Sequence, residues 1–294
     1  MIRLNRLEIQ VANACNLTCE SCSHFSNSGH RGVLSLAEAE AWMEAWHCRL
    51  LPGDFCLLGG EPTINPKLTE MVYLAKEKWP YSRLRLITNG FFLHKHPNLP
   101  AALSETGAIL CLTIHHRSPE YLQHVAGISK LLNEWRVNFP FRIYIEDSFR
   151  RWTRRYKGFG PDVTPFHDNA PRASWEHCAC RFARQLFRGK LWKCSTIAYL
   201  QLQKEAHPEI SSAWDPYLAY EPLDPSCSDA ELVAFLRRED EAICNMCPAS
   251  PERFAKPSPL VPVQRLLKNL REDRLTNPRH GSLVPADSQG EIES

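Results

Sequence analysis

The sequence predicts an α/β fold in which a parallel sheet is covered by helices, and three observations carry that prediction. Short apolar or alternating runs of strand length recur at 6–11, 54–58, 84–88, 109–114 and 141–146. Helical patterns separate them at 35–50, 66–78 and 119–135. Residues with chemical potential fall just beyond the runs. Cys15 follows the first, Gly59-Gly60-Glu61-Pro62 the second and Thr88-Asn89-Gly90 the third. His115-His116 follows the fourth, and Glu146-Asp147 closes the fifth. Strands alternating with helices mean parallel pairing, in a doubly wound sheet or in a full or partial barrel. Both architectures gather ligands at the C-terminal ends of their strands.

Each element has its own local reason. Ser35 with Glu38 forms a capping-box pattern at the first helix, and the next two helices start near Pro66 and Pro119. The character changes near residue 150, where Arg150, Arg151, Arg154, Arg155 and Lys157 surround Trp152 and Tyr156. That run reads first as a solvated surface and second as a receptor for a phosphate or carboxylate, since arginine forks match such anions. A turn or hairpin is expected around Gly189, and a helix at 229–238. Beyond 251, proline and charge dominate, with an amphipathic helix expected at 263–275 and disorder at 276–294. The division expected is a core at 1–150, a second unit at 151–250 and a tail at 251–294.

Composition narrows the function. Hydrophobic residues make up 44% and charged residues 23% of the 294, which is globular. A net charge of +2 argues against nucleic-acid binding by electrostatics alone. No apolar run approaches the ~20 residues of a membrane span, and the N-terminus lacks a signal core, so a cytoplasmic location is expected. Twelve cysteines are the unusual feature. In a reducing compartment they point to metal rather than disulfides.

Cys15, Cys19 and Cys22 form a C-x3-C-x2-C element on a loop. Three thiolates can hold three irons of a [4Fe–4S] cluster and leave the fourth open to a ligand. The alternative is zinc, with His24 as a fourth ligand. Taken with Gly59-Gly60-Glu61-Pro62 and Thr88-Asn89-Gly90, each at a strand end, the element resembles the radical S-adenosylmethionine (SAM) superfamily over roughly residues 5–150. The resemblance implies a partial (β/α)6 TIM-like barrel and a [4Fe–4S] cluster on Cys15, Cys19 and Cys22 whose open iron binds SAM. Reductive cleavage then gives a 5′-deoxyadenosyl radical that abstracts a hydrogen atom. By the same resemblance, Gly59, Gly60, Glu61 and Pro62 border the methionine end of SAM, while Thr88 and Asn89 lie near its ribose or the substrate. One departure is Ser21, where the family often has an aromatic residue.

Cys178, Cys180 and Cys194, with Gly189 between them and Cys244 and Cys247 beyond, resemble the small twitch-type domain of SPASM/twitch radical SAM enzymes. That likeness implies a second, auxiliary [4Fe–4S] cluster. Either Cys178 or Cys180 serves as its ligand. A zinc ribbon is the alternative. An auxiliary cluster ligated on every iron only passes electrons, which suits oxidation. Epimerisation instead needs a hydrogen donor, and Cys227, in a proline-rich loop, is the candidate thiol. Cys56 and Cys111 read as buried structural cysteines. His115 is a candidate SAM contact or base, and Glu146 a candidate general base.

The function expected is hydrogen abstraction from a small molecule such as a sugar or cyclitol, giving oxidation or epimerisation. The short stretch before Cys15 leaves no room for a fused peptide-binding domain, which favours a small substrate. The alternatives are a peptide- or protein-modifying enzyme with a separate recognition chain, and a non-enzymatic zinc module. A flavodoxin or ferredoxin is the reductant implied, with neither nucleic acid nor membrane as partner.

Overall fold

The computed structural model describes residues 1–148 and 152–251, together with the backbone of 283–284. Strands β1 (Ile2–Gln10), β2 (Leu50–Leu58), β3 (Arg83–Thr88), β4 (Ile109–Ile114) and β5 (Arg142–Asp147) pair in parallel, in chain order. Helices α1 (Leu36–His47), α2 (Leu68–Lys78), α3 (Leu99–Thr106) and α4 (Pro119–Asn138) make the crossovers. The Ser35–Glu38 capping box at α1 forms in both directions. Helix α3 lay outside the sequence expectation, because the prolines at 97 and 100 obscure a segment only eight residues long.

A sixth parallel strand, β6 (Ala183–Phe187), does not follow β5. It joins the opposite edge, beside β1, in the register Glu8 with Gln185. Strand β7 (Lys190–Trp192) returns antiparallel to it. Arg188 and Gly189 connect the two at φ 53° and 73°, the two-residue turn whose twist suits a hairpin. A two-residue strand, β8 (Leu283–Val284), pairs with β5. The remaining helices are α5 (Pro171–Glu176), α6 (Ser195–Ala206), α7 (Asp215–Leu218) and α8 (Asp229–Leu236). The helix expected at 263–275 lies outside the described residues, as do Arg150 and Arg151; within 276–294, where disorder was expected, Leu283 and Val284 are described as a strand.

The two faces of the sheet are chemically opposite. Leu7 and Ile9 of β1, Phe55 and Leu57 of β2, Leu110 and Leu112 of β4 and Ile143 of β5 are buried in one apolar core with the crossover helices. The other face carries a chain of polar contacts across five strands, from β6 through β1, β2 and β3 to β4. Gln185 donates to Glu8 at 2.7 Å, Arg6 pairs with Glu8 and Asp54 at 3.6 Å, and Arg85 reaches Asp54 and the Cys111 sulfur at 3.3 Å. Cys56 and Cys111 are buried, as expected. A second core joins Phe25 from the first cysteine loop to Tyr156, Tyr199 and Trp214. The unit after residue 151 is thus packed onto the loop that carries the first cysteines.

Candidate active site

The loop after β1 is held by the loop after β2. Gly60 N–H donates to Ala12 O at 2.7 Å, and Glu61 N–H donates to Ala14 O at 2.9 Å. A Cβ on Gly59 would lie 2.6 Å from Ala12 O, and one on Gly60 2.3 Å from Ala14 O. The glycines are therefore required by the backbone that leads into Cys15.

Glu61 joins three loops from a buried position, 1% exposed. One carboxylate oxygen accepts Thr63 N–H at 2.9 Å, the Thr63 hydroxyl, and the Thr88 hydroxyl at 2.5 Å. The other accepts Asn89 N–H at 2.8 Å. Burial pushes the carboxyl up, against these hydrogen bonds. The side chain is thus engaged within the protein. Asn89 in turn donates to Asn16 Oδ1 at 2.9 Å, next to Cys15. Pro62 opens the short turn Pro62–Ile64 and is buried.

Cys15, Cys19 and Cys22 sit close enough to disfavour one another's ionisation, although burial is the larger influence. It pushes the Cys15 thiol up to about 12. Leu17 N–H points at the Cys15 sulfur at 3.4 Å. Thiols so buried are neutral when free and must shed protons on metal binding. His24 turns away from them: its Nδ1 lies 3.2 Å from Ser23 Oγ, and its ring lies 5.1 Å from that of Tyr199. His115 approaches them instead, with Nδ1 3.7 Å from Cys19 Sγ and Nε2 2.9 Å from Thr113 Oγ1. Burial lowers its pKa to about 4, which leaves a neutral ring near pH 7. His116 accepts Ser118 N–H at 3.0 Å at the start of α4. Glu146 is half-buried opposite Thr113 in the β4–β5 register, and its neighbour Asp147 pairs with Arg117.

Five further cysteines line one cavity: Cys178, Cys180, Cys194, Cys244 and Cys247. They arrive on three elements. Cys178 and Cys180 follow α5, Cys194 caps the N-terminus of α6, and Cys244 and Cys247 bracket a single turn closed by Cys247 N–H to Cys244 O at 3.2 Å. Burial pushes Cys194 and Cys247 up to about 12. Cys178 goes the other way, held below its usual range by a hydrogen bond from Cys180 and then by Arg155. Its sulfur also accepts Cys180 N–H at 3.3 Å. Cys180 is pushed far up and lies 3.7 Å from Ser195 Oγ.

Among the described residues no three His, Cys, Asp or Glu side chains converge tightly enough to hold a single metal ion. The donor sets fit iron–sulfur chemistry. Three thiols on one loop leave a cluster corner open, and five around a cavity exceed the four that saturate a cluster.

Cys227 is not brought to either set. Its sulfur accepts from Arg49 at 3.5 Å, at the N-terminal end of β2. The first cysteine loop lies at the other end of that nine-residue strand, about 30 Å away. The run around Trp152 also departs from the solvated surface expected. Trp152 Nε1 donates to Glu20 O at 2.9 Å, Arg154 pairs with Glu20 at 3.0 Å, and the Tyr156 hydroxyl donates to Cys22 O at 3.1 Å. Asn16, Ser21, Trp152, Arg155 and Tyr156 are the site residues the sequence reading did not assign. The signal available was the mixture of aromatic and basic residues, since a merely solvated run has no need of tryptophan and tyrosine.

Residues 9–137 match the family model described as the Radical SAM superfamily. Among solved structures the chain is similar to BtrN in complex with AdoMet and 2-DOIA, at 18% identity and a TM-score of 0.50, over 87% of this chain and 95% of that one. Weaker likenesses are to anSMEcpe with bound AdoMet and to Streptococcus suis SuiB bound to S-adenosylmethionine. The first has 20% identity, a TM-score of 0.36, and covers 49% of this chain and 43% of that one. The second has 13% identity, a TM-score of 0.38, and covers 97% of this chain and 51% of that one. No curated protein matches the sequence. The match over 9–137 identifies a radical SAM region in the first half of the chain, and the likeness to BtrN is one of fold. No helix among the described residues is long and apolar enough to cross a membrane.

Proposed function

We propose that the chain is a radical SAM enzyme that abstracts a hydrogen atom from a polar small molecule, of the sugar or cyclitol kind, and that the reaction ends in oxidation or epimerisation. Cys15, Cys19 and Cys22 hold the SAM-binding cluster. Four of Cys178, Cys180, Cys194, Cys244 and Cys247 hold an auxiliary cluster in a twitch-like unit. The observation that carries this reading is the meeting of five cysteines from three separate elements in one cavity, on the same body as the first cysteine loop.

When bound, the first cluster supplies the electron that cleaves SAM to methionine and a 5′-deoxyadenosyl radical. The chain's own residues orient and enclose. The paired loops at Gly60 and Ala12 fix the path into Cys15. Trp152 and Tyr156 cover the cysteine loop. His115, neutral and hydrogen-bonded to Thr113, stands beside Cys19. A flavodoxin or ferredoxin is the reductant proposed.

The test is an anaerobic assay with SAM, dithionite and deuterated sugars or cyclitols. Deuterium appearing in 5′-deoxyadenosine supports the reading. Transfer from a labelled peptide, with none from polyols, overturns the small-molecule assignment.

A further inference from the structure

The two cysteine groups are mechanically joined through a single serine. Ser21 immediately precedes Cys22 and holds a left-handed backbone at φ 53°, a conformation that non-glycine residues rarely adopt. Its hydroxyl is fully used. It accepts Arg155 N–H at 2.6 Å and Tyr156 N–H at 3.1 Å, and it donates to Tyr156 O at 3.2 Å. The Arg155 side chain then extends into the second group, with Nη1 3.7 Å from Cys178 Sγ.

Arg155 is an unusual cation. It is only 8% exposed, and among the described residues no carboxylate pairs with it. Burying a guanidinium without a counter-charge is expensive. The Arg155 guanidinium faces the Cys178 sulfur at 3.7 Å, and metal-bound thiolates there would supply the counter-charge that neutral thiols cannot.

Resting on the auxiliary-cluster reading above, we propose that Arg155 is a positioning residue that stabilises the electron-loaded auxiliary cluster and, through Ser21, fixes that cluster relative to the SAM-cleaving loop. An electron entering the auxiliary cluster, from the substrate radical in turnover or from dithionite in the test, adds one negative charge beside the guanidinium. Net charge and hydrogen bonds to sulfur set the potentials of such clusters, so a fixed cation there raises the potential and favours electron uptake.

The experiment is an EPR-monitored redox titration of the Cys15→Ala/Cys19→Ala/Cys22→Ala chain, which leaves the auxiliary site alone. It is run with Arg155 intact, with Arg155→Met, with Arg155→Lys and with Ser21→Ala. The midpoint is expected to fall furthest in Arg155→Met, less in Arg155→Lys, and in the same direction in Ser21→Ala. Equal midpoints in iron-loaded proteins overturn the proposal alone. Should Arg155→Met fail to take up iron, an unshifted midpoint in both the Lys and the Ser21→Ala proteins overturns it. No auxiliary iron in the parent triple variant overturns the auxiliary-cluster reading, and this proposal with it.

Discussion

The carboxylate of Glu61 accepts the backbone N–H of Asn89 at 2.8 Å, and this bond ties the loop after β2 to the loop after β3. The opposite oxygen accepts Thr63 N–H. Glu61→Gln therefore places an amide donor against one backbone N–H whichever way the amide turns. A cost of about 1–3 kcal/mol is expected for the buried donor left unpaired. Urea denaturation of the metal-free protein measures it, and an unchanged midpoint contradicts the role given to this side chain.

Gly60→Ala forces a methyl group to within 2.3 Å of Ala14 O. Both partners are backbone, so neither can rotate away. A loss of about 1–3 kcal/mol is expected from such overpacking, together with reduced iron uptake by the first cysteine loop. Parallel iron analysis of parent and variant checks this, and full iron loading counts against the coupling of the two loops.

Asp54 faces Arg83, Arg85 and Arg6 on the polar side of the sheet. Burial raises its carboxyl, but the Arg83 hydrogen bond and the three cations outweigh burial and hold it below the usual range. A depressed acid stabilises the fold above its unfolded pKa of about 3.8 and loses that contribution as the pH falls through the folded value. Asp54→Asn is expected to cost about 1–3 kcal/mol at neutral pH, partial exposure of the arginines moderating the loss. The gap between variant and parent should narrow below about pH 3.8. Denaturation curves between pH 3 and 7 read both effects, and a gap independent of pH removes the ionic explanation.

Cys227 contacts Arg49 at the N-terminal end of β2, at the opposite end of that strand from the first cysteine loop. Cys227→Ser should leave product formation and its stereochemistry unchanged. A variant that still cleaves SAM but no longer completes the reaction would restore Cys227 as the hydrogen donor.

Much of this arrangement was legible in the sequence. The β4 bounds at Ile109–Ile114 and the Ser35–Glu38 capping box follow from local patterns, and the structure reproduces both. The placement of β6 against β1 was not legible, because nothing local to Ala183–Phe187 names its partner strand. The same limit applied to Trp152, Arg155 and Tyr156. Their chemistry is visible in the sequence, but their targets, Glu20 O, Cys178 and Cys22 O, are 23 to 134 residues distant. The surroundings of Cys227 were not legible for the complementary reason: a proline-rich loop marks a turn of the chain in sequence and says nothing about which end of the sheet it reaches.

The most direct test is the iron content and SAM cleavage of the anaerobically reconstituted chain beside its Cys15→Ala/Cys19→Ala/Cys22→Ala variant. The account predicts about eight irons per parent chain, about four in the variant, and no 5′-deoxyadenosine from the variant. Undiminished iron or persistent SAM cleavage after removal of those three sulfurs would contradict it.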